Sequence, residues 1–549
     1  MKQIAAKESR YYKTFGEFLT DIAKRYGSKT AVTSYHRGME RQDKSFEELK
    51  EDSFRFSKAL LASGFGGKHV ALVSENSYEW LTAYFGIACA GGIACCIDIE
   101  QADKILKEML QKSDAEAIIC SQNLAGICAG IKKSIDKITK LIVIGGEDTE
   151  DSMSYESFAV LGDSPEAEQL FADCAVEPDQ TACIVFTSGT TSAAKPVMLS
   201  HKAILADAAD SLTILDSRDR IYNSLPLYHT YGFTGGMLCG LIRGLDICIC
   251  CDMKRMLQDM TLFKPNMLVT VPIIVEVVHN FLWGMLEKAD KKQKVQKKMK
   301  LEAAIHMPNS MTAADIKAVT QGTFAEELDV ILSGGAYLDL RIAEDLLHMG
   351  IVVLQGYGIT ECSSSVSCNR NEDFSLDSVG MILPGCEVKF VDDEILVKSY
   401  SIMNGYYNEP ELTKEAFADG WFKTGDLGYL DKKGHLHITG RKKNLIVMKN
   451  GKKVAAEEME QEFKGMPLVK EVLVYGALSG ESTDDVKIAA EIYPDPELTQ
   501  GMSSYEILEQ LQEFVDNLNK TLPTYKQIQM INIRETEFEK TAAKKIKRR

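Results

Sequence analysis

Hydroxyl side chains crowd around a glycine in Phe186-Thr187-Ser188-Gly189-Thr190-Thr191-Ser192-Ala193-Ala194-Lys195-Pro196-Val197, and His201 follows closely. A loop of this composition wraps phosphate oxygens with hydroxyl and backbone donors, and a nearby lysine supplies positive charge. The stretch lacks the Gly-Lys-Ser/Thr ending of the Walker loop, so it is not that motif. On its own, a Ser/Thr-rich turn is more often an ordinary loop. Here it opens an ordered series: Leu225-Pro226-Leu227-Tyr228-His229, Ser333-Gly334-Gly335-Ala336 and Gly356-Tyr357-Gly358-Ile359-Thr360-Glu361. Gly420-Trp421-Phe422-Lys423-Thr424-Gly425-Asp426 and Gly440-Arg441-Lys442-Lys443 come next, and Lys540-Thr541-Ala542-Ala543-Lys544-Lys545-Ile546-Lys547-Arg548 stands at the end.

Such segments need a framework that presents loops at strand ends. Short β-branched runs at 69–73, 93–97, 117–120, 141–144, 182–186, 267–271, 330–332 and 351–354 alternate with helical patterns such as Tyr78–Cys89. That alternation predicts an α/β fold with mostly parallel sheets. From Glu394 the pattern turns to short strands with Gly-rich turns, which predicts a small β subdomain. Past Lys443, strands at 471–475, 487–493 and 528–533 and a helix at 503–519 make a small α+β domain. The expected division is 1–440 for a large N-terminal domain, 441–444 for a hinge and 445–549 for a C-terminal lid.

The chain has 549 residues, with 63 Lys plus Arg against 79 Asp plus Glu and a formal charge of −16. With 45% apolar and 26% charged residues it is neither disordered nor fibrous. The acidic balance argues against a nucleic-acid partner, which needs a basic face. The 14 cysteines lie mostly in apolar runs, as buried small hydrophobes do in a reducing compartment. Cys248-Ile249-Cys250-Cys251 reads as a strand end rather than a zinc site, whose ligands come as two spaced pairs. The N-terminus has no apolar core of a signal peptide and no segment suits a membrane span, so a cytoplasmic protein is expected. Glu287–Lys300 carries seven lysines: a solvated helix, with peripheral contact to anionic lipid or an acidic partner as the sharper alternative.

The ordered motifs resemble the adenylate-forming (AMP-binding) superfamily of acyl-CoA synthetases, nonribosomal peptide adenylation domains and firefly luciferase. The resemblance spans nearly the whole chain and is nearest to the long-chain fatty acyl-CoA synthetases, on Asn450-Gly451-Lys452-Lys453-Val454 and Glu537-Phe538-Glu539-Lys540-Thr541. It implies attack of a carboxylate on the α-phosphate of Mg-ATP to give an acyl-adenylate and pyrophosphate, then displacement of AMP by a thiol, usually that of coenzyme A. Both steps concentrate negative charge, so cations and preorganised donors are needed.

By the same resemblance, Thr187, Ser188, Gly189, Thr190, Thr191 and Lys195 form the phosphate loop. Glu361 holds Mg²⁺, with Thr190 as a second contact, and Thr360 meets the α-phosphate. Gly335, Ala336 and Tyr357 frame the adenine, and Asp426 and Arg441 serve the ribose. Lys545 is the implied adenylation lysine, with Lys544 its neighbouring competitor. Lys443 matches the hinge, and His229 lies between acyl pocket and thiol channel.

Several positions depart from the family pattern. Ser192 and Pro196 stand where glycines are usual, Asp393 and Ser399 replace two more, and Ala456 replaces a proline. Restricted φ at Ser192 and the lost N–H at Pro196 predict altered loop closure. The segment Leu227–Phe233 has no carboxylate to pair a substrate ammonium, which disfavours amino acids. Gly232, Gly235 and Gly236 suggest room for a long acyl tunnel. A hydrophobic, fatty-type acid is therefore expected, with coenzyme A as acceptor. The alternatives are a carrier-protein phosphopantetheine as acceptor, or a nucleotide-binding pseudoenzyme.

Overall fold

The computed structural model describes residues 10–35, 40–187, 194–212, 219–371, 373–448, 452–463, 466–478, 486–540, 546 and 548. It is mixed α/β, with two compact units: Met1–Glu387 with Lys398–Gly420, and Val388–Val397 with Trp421–Arg549. The smaller unit thus begins before residue 441. The Trp421–Leu430 strand pairs with Leu436–Arg441 and also with Glu394–Ser399, and long-range pairing of this kind leaves no local sequence signal.

The larger unit contains two sheets. In the nine-stranded sheet, Val352–Tyr357, Val330–Ser333, Met267–Thr270, Arg220–Asn223 and Asp246–Ile249 lie side by side and parallel. Their apolar faces build a core with Phe263, Leu268, Val278, Leu282 and Leu346. Strands buried on both faces carry near-continuous hydrophobic runs, which is why their sequences show no alternation. In the eight-stranded sheet, Thr181–Thr187 joins the parallel series through Ile93–Cys96, and Lys195–Ser200 returns antiparallel beside it. Gly405–Tyr406 then adds to the far side of Lys195–Ser200.

Pro196 sits in that strand opposite Phe186, and its carbonyl accepts the Tyr407 amide at 2.8 Å. At Asp392 and Asp393, φ values of 50° and 64° make the hairpin turn that glycine favours, and aspartate tolerates them.

All 14 cysteines are free, and twelve are buried. Burial pushes the Cys250 and Cys251 thiols up to about 12, which keeps them protonated and poor metal ligands. Among the described residues no acid–Cys–His group suits a metal ion. Three of the seven lysines in the lysine-rich segment, Lys291, Lys294 and Lys298, reach the Asp315 carboxylate at 2.6–3.6 Å. Among the described residues, no helix is long and apolar enough to cross a membrane.

The smaller unit packs the helices Ala456–Glu462 and Ser504–Asn519 on the sheet of Val469–Leu478, Val486–Pro494 and Met530–Ile533. Its core contains Met459, Phe463, Val474, Ile488, Leu511 and Val515. Ser503 starts the long helix with a capping box: its hydroxyl accepts the Glu506 amide while Glu506 accepts the Ser503 amide.

Candidate active site

In the nine-stranded sheet, the chemistry-bearing segments leave the C-terminal ends of neighbouring parallel strands, where α/β proteins place their ligands. His229 follows Arg220–Asn223, Gly335 and Ala336 follow Val330–Ser333, and Thr360 and Glu361 follow Val352–Tyr357. Gly335 has φ of 82° and is exposed with Ala336, while Tyr357 is half-buried at its strand end. Gly334 is close-packed on the Tyr231 ring, and the Tyr231 hydroxyl donates to the Leu332 carbonyl at 3.0 Å.

His229 sits in the turn before a π-type helical segment, Tyr231–Leu238. Its amide donates to the Pro226 carbonyl, its carbonyl accepts the Phe233 amide, and its ring lies 4.8 Å from that of Tyr228. Asn76 fixes the same turn, donating to the Leu225 carbonyl and accepting the Leu227 amide, each at 2.8 Å.

The glycines of this segment do not leave a tunnel. A Cβ on Gly232 would lie 2.2 Å from the Pro226 carbonyl oxygen, and one on Gly236 would lie 2.5 Å from the Asn223 side chain. Their space is already filled by this close packing. Asn223 also donates to the Gly232 carbonyl at 2.9 Å, so these glycines serve local packing rather than acyl-chain volume.

The turn bearing Thr360 and Glu361 is held on several sides. Gly358 must be glycine, because a Cβ there would fall 1.5 Å from the Ser364 carbonyl oxygen. Ser363 has φ of 60°, a left-handed conformation that costs a non-glycine residue energy unless its surroundings impose it. The Thr234 hydroxyl donates to the Ser363 carbonyl at 2.9 Å, and the Ser363 hydroxyl donates to the Ser401 carbonyl at 2.8 Å.

Tyr406 is buried and donates to Glu361 Oε1 at 2.8 Å. Burial and the adjacent Glu361 raise its pKa, so it stays a donor. Lys195 Nζ lies 5.2 Å from the centre of the same ring, a cation–π distance. Lys195 is opposite Thr187 in the strand register, at the far end of the phosphate-type loop. Tyr406 therefore joins the loop's lysine to Glu361. No local motif marks it, and its role follows from the pairing of Gly405–Tyr406 with Val197 and Met198.

Ser188, Gly189, Thr190, Thr191 and Ser192 lie outside the described residues, as does Lys545. Glu361 fits a magnesium ion shared with phosphates, since Mg²⁺ bound with nucleotide takes one or two carboxylates and keeps waters. Among the described residues, its Oε2 accepts no hydrogen bond.

In the smaller unit Asp426 is buried, and Arg441 Nε pairs with its Oδ1 at 2.7 Å. The two are cross-strand partners in the hairpin. Gly425, with φ of 70°, donates to Glu394 Oε1 at 3.1 Å, and Lys442 pairs with Glu394 Oε2 at 2.6 Å. Lys443 is exposed in the turn that follows. At the chain end, Lys540 and Ile546 form an antiparallel bridge, and Arg548 pairs with both Glu460 oxygens at 2.5 and 2.6 Å.

The segments thus stand at the ends of parallel strands in the larger unit, and the smaller unit holds the Asp426–Arg441 hairpin. Comparison with known proteins gives the family. Residues 19–407 match the AMP-binding enzyme family, and residues 443–549 match the AMP-binding enzyme C-terminal domain. The chain belongs to the AMP-binding enzyme family, and by class it is an AMP-forming acyl-CoA synthetase.

Among its relatives, the long-chain-fatty-acid–CoA ligase of Escherichia coli O6:H1 is 27% identical, over 93% of this chain and 92% of that protein. Long-chain-fatty-acid–CoA ligase FadD15 of Mycobacterium bovis is also 27% identical, over 79% of this chain and 74% of its own length. Among solved structures, the anthranilate CoA ligase AuaEII in complex with anthranoyl-AMP superposes with a TM-score of 0.79. That match has 22% identity and covers 99% of this chain and 97% of the other. The o-succinylbenzoate CoA synthetase of Bacillus subtilis, solved with ATP and magnesium, gives 0.72 at 21% identity, covering 97% and 98%. These structural likenesses speak to the fold.

Proposed function

We propose that the chain activates a hydrophobic, medium- to long-chain fatty carboxylic acid with ATP and passes the acyl group to coenzyme A. The observation that carries the ATP-dependent part of this reading is the Lys195–Tyr406–Glu361 arrangement, which sets a cation and a hard carboxylate around one buried tyrosine.

In this mechanism the acid's carboxylate attacks the α-phosphorus of ATP, the bond to the bridging oxygen breaks, and pyrophosphate leaves. The thiol then attacks the acyl carbon and AMP departs. Magnesium, when bound, neutralises phosphate charge during the first step. Glu361 holds it, with Thr190 as a second contact, while Thr187, Ser188, Gly189, Thr191 and Lys195 cradle the phosphates. Thr360 donates to the α-phosphate. Gly335, Ala336 and Tyr357 line the base, and Asp426 and Arg441 take the ribose hydroxyls. Lys545 bridges carboxylate and α-phosphate as the new bond forms. His229 stands at the gate between acid and thiol, and Lys443 is the hinge position.

One observation supports a hydrophobic acid: the Leu227–Phe233 segment has no carboxylate to pair a substrate ammonium. The relatives that are long-chain-fatty-acid–CoA ligases point the same way.

The test is mass spectrometry of the purified protein with Mg-ATP, coenzyme A and an acid panel from acetate to oleate plus aryl acids. Parallel reactions replace the thiol with hydroxylamine, which traps acyl-adenylate. Fatty acyl-CoA with AMP is the expected result. Hydroxamate without acyl-CoA would favour a carrier-protein acceptor, and nucleotide binding without either product would favour a pseudoenzyme.

A further inference from the structure

The helix His201–Leu212 is buried at every position but Lys202 and contains two buried carboxyl groups, Asp207 and Asp210. Such groups are costly without a partner that needs them. Asp210 has a structural one: its Oδ1 accepts the Tyr11 hydroxyl at 2.5 Å. Asp207 is 1% exposed, and its Oδ1 accepts the Ser365 amide at 3.1 Å. It is therefore tied to the segment that follows the turn carrying Thr360 and Glu361.

We propose that Asp207 is a positioning residue for Mg-ATP binding: by holding the Ser365 amide it fixes the left-handed Ser363 turn and so the direction of Thr360 and Glu361. The inference rests on the proposed role of Glu361 at the metal. The turn is short and internally bonded, with the Cys362 amide donating to the Ile359 carbonyl and the Ser363 amide to the Thr360 carbonyl, each at 3.0 Å. Displacing Ser365 therefore displaces Glu361, which is one turn away. Three further contacts act with Asp207. Thr234 holds the Ser363 carbonyl, the Met403 amide donates to the Glu361 carbonyl at 2.9 Å, and the Val366 amide donates to the Tyr357 carbonyl at 2.8 Å.

Burial, with Asp210 on the same helix, raises the Asp207 pKa well above the ordinary carboxylate range, which favours the neutral form. Among the described residues, the other titratable groups facing it are thiols: Cys239 from the following helix, Cys362 from the turn and Cys386 from the strand after it. None of them brings a cation. Asparagine can then replace aspartate, with its side-chain carbonyl accepting the Ser365 amide.

The experiment measures Mg-ATP binding by calorimetry, with no acid present, on the full chain and four variants, with melting curves to verify folding. Asp207→Leu is expected to weaken binding about 10-fold, the scale of losses from groups supporting a metal ligand. Asp207→Asn should restore binding to within about twofold, and Thr234→Val should weaken it less than Asp207→Leu does. Wild-type binding by folded Asp207→Leu would overturn the inference, as would equal losses in the Asn and Leu variants. If Asp207→Leu fails to fold, Thr234→Val decides, and unaltered binding there overturns the inference. Glu361→Ala is the control. Unchanged Mg-ATP binding in that variant would overturn the metal reading itself, whereas a large loss there with none in Asp207→Leu would overturn only the role of Asp207.

Discussion

Around Glu361, the larger unit holds its chemistry with neutral groups: the Tyr406 hydroxyl, the Thr234 and Ser363 hydroxyls, backbone amides and a buried Asp207. Asp426 and Arg441, in the smaller unit, are instead held by each other, as are Glu394 and Lys442 beside them. A carboxylate fixed by neutral donors keeps its full charge for an incoming cation. A carboxylate already bound to a guanidinium offers only its remaining lone pairs, which suits neutral hydroxyl groups. The contrast suits the proposed partners, a divalent metal for Glu361 and a ribose for Asp426. It also predicts which substitutions act on charge and which on positioning.

The sharpest break is expected at Glu361. Glu361→Ala should lower acyl-hydroxamate formation by about 10²–10³, because it removes charge stabilisation at the reacting phosphates. Raising Mg²⁺ should recover part of the loss, and a loss indifferent to Mg²⁺ would place the carboxylate elsewhere. Tyr406→Phe should weaken Mg-ATP binding about 10-fold while leaving the fold intact, since it removes one hydrogen bond and keeps the ring beneath Lys195. A variant with wild-type Mg²⁺ dependence would leave Tyr406 as a packing residue.

Asp426→Asn should act more weakly, raising the KM for ATP several-fold. The stability cost should be only about 1 kcal/mol, because Arg441 is 42% exposed and water screens the pair. Thermal melts and initial-rate kinetics separate the two effects.

The smallest effects concern pH. Burial lowers the pKa of His201 from 6.5 to about 4, so the folded protein holds it neutral. Its favourable contribution is present above the ordinary histidine range and is lost as pH falls from 6.5 toward 4. His201→Asn should flatten the fall in Tm across that interval. Asp207 has the opposite sign. Its raised pKa contributes stability that is complete below the ordinary carboxylate range and declines as pH rises, and Asp207→Asn should remove that decline.

Most of the framework was legible because its strands are buried runs with turn residues between them. The helix Tyr78–Cys89 and the strands at 69–73, 117–121 and 330–333 stand where their residues predict. The motif order was equally readable, because each segment follows a strand. What sequence could not supply was partnership at long range. Tyr406 reaches Glu361 only because a two-residue strand pairs beside Lys195–Ser200, and Asp207 meets Ser365 across 158 positions. The glycines at 232 and 236 misled for the same reason, since the groups that fill their space, Pro226 and Asn223, act through packing that composition does not encode. Asp426 and Arg441 were each readable as ligand groups, whereas their mutual ion pair follows from hairpin register.

The most direct measurement separates the two half-reactions in the wild type and in Lys545→Ala. Hydroxamate trapping with Mg-ATP and a fatty acid reads adenylation, and acyl-CoA formed from supplied acyl-adenylate reads thiol transfer. The account predicts that Lys545→Ala loses adenylation by about 10²–10³ and keeps thiol transfer near the wild-type rate. Equal loss in both halves, or adenylation left intact, would contradict it.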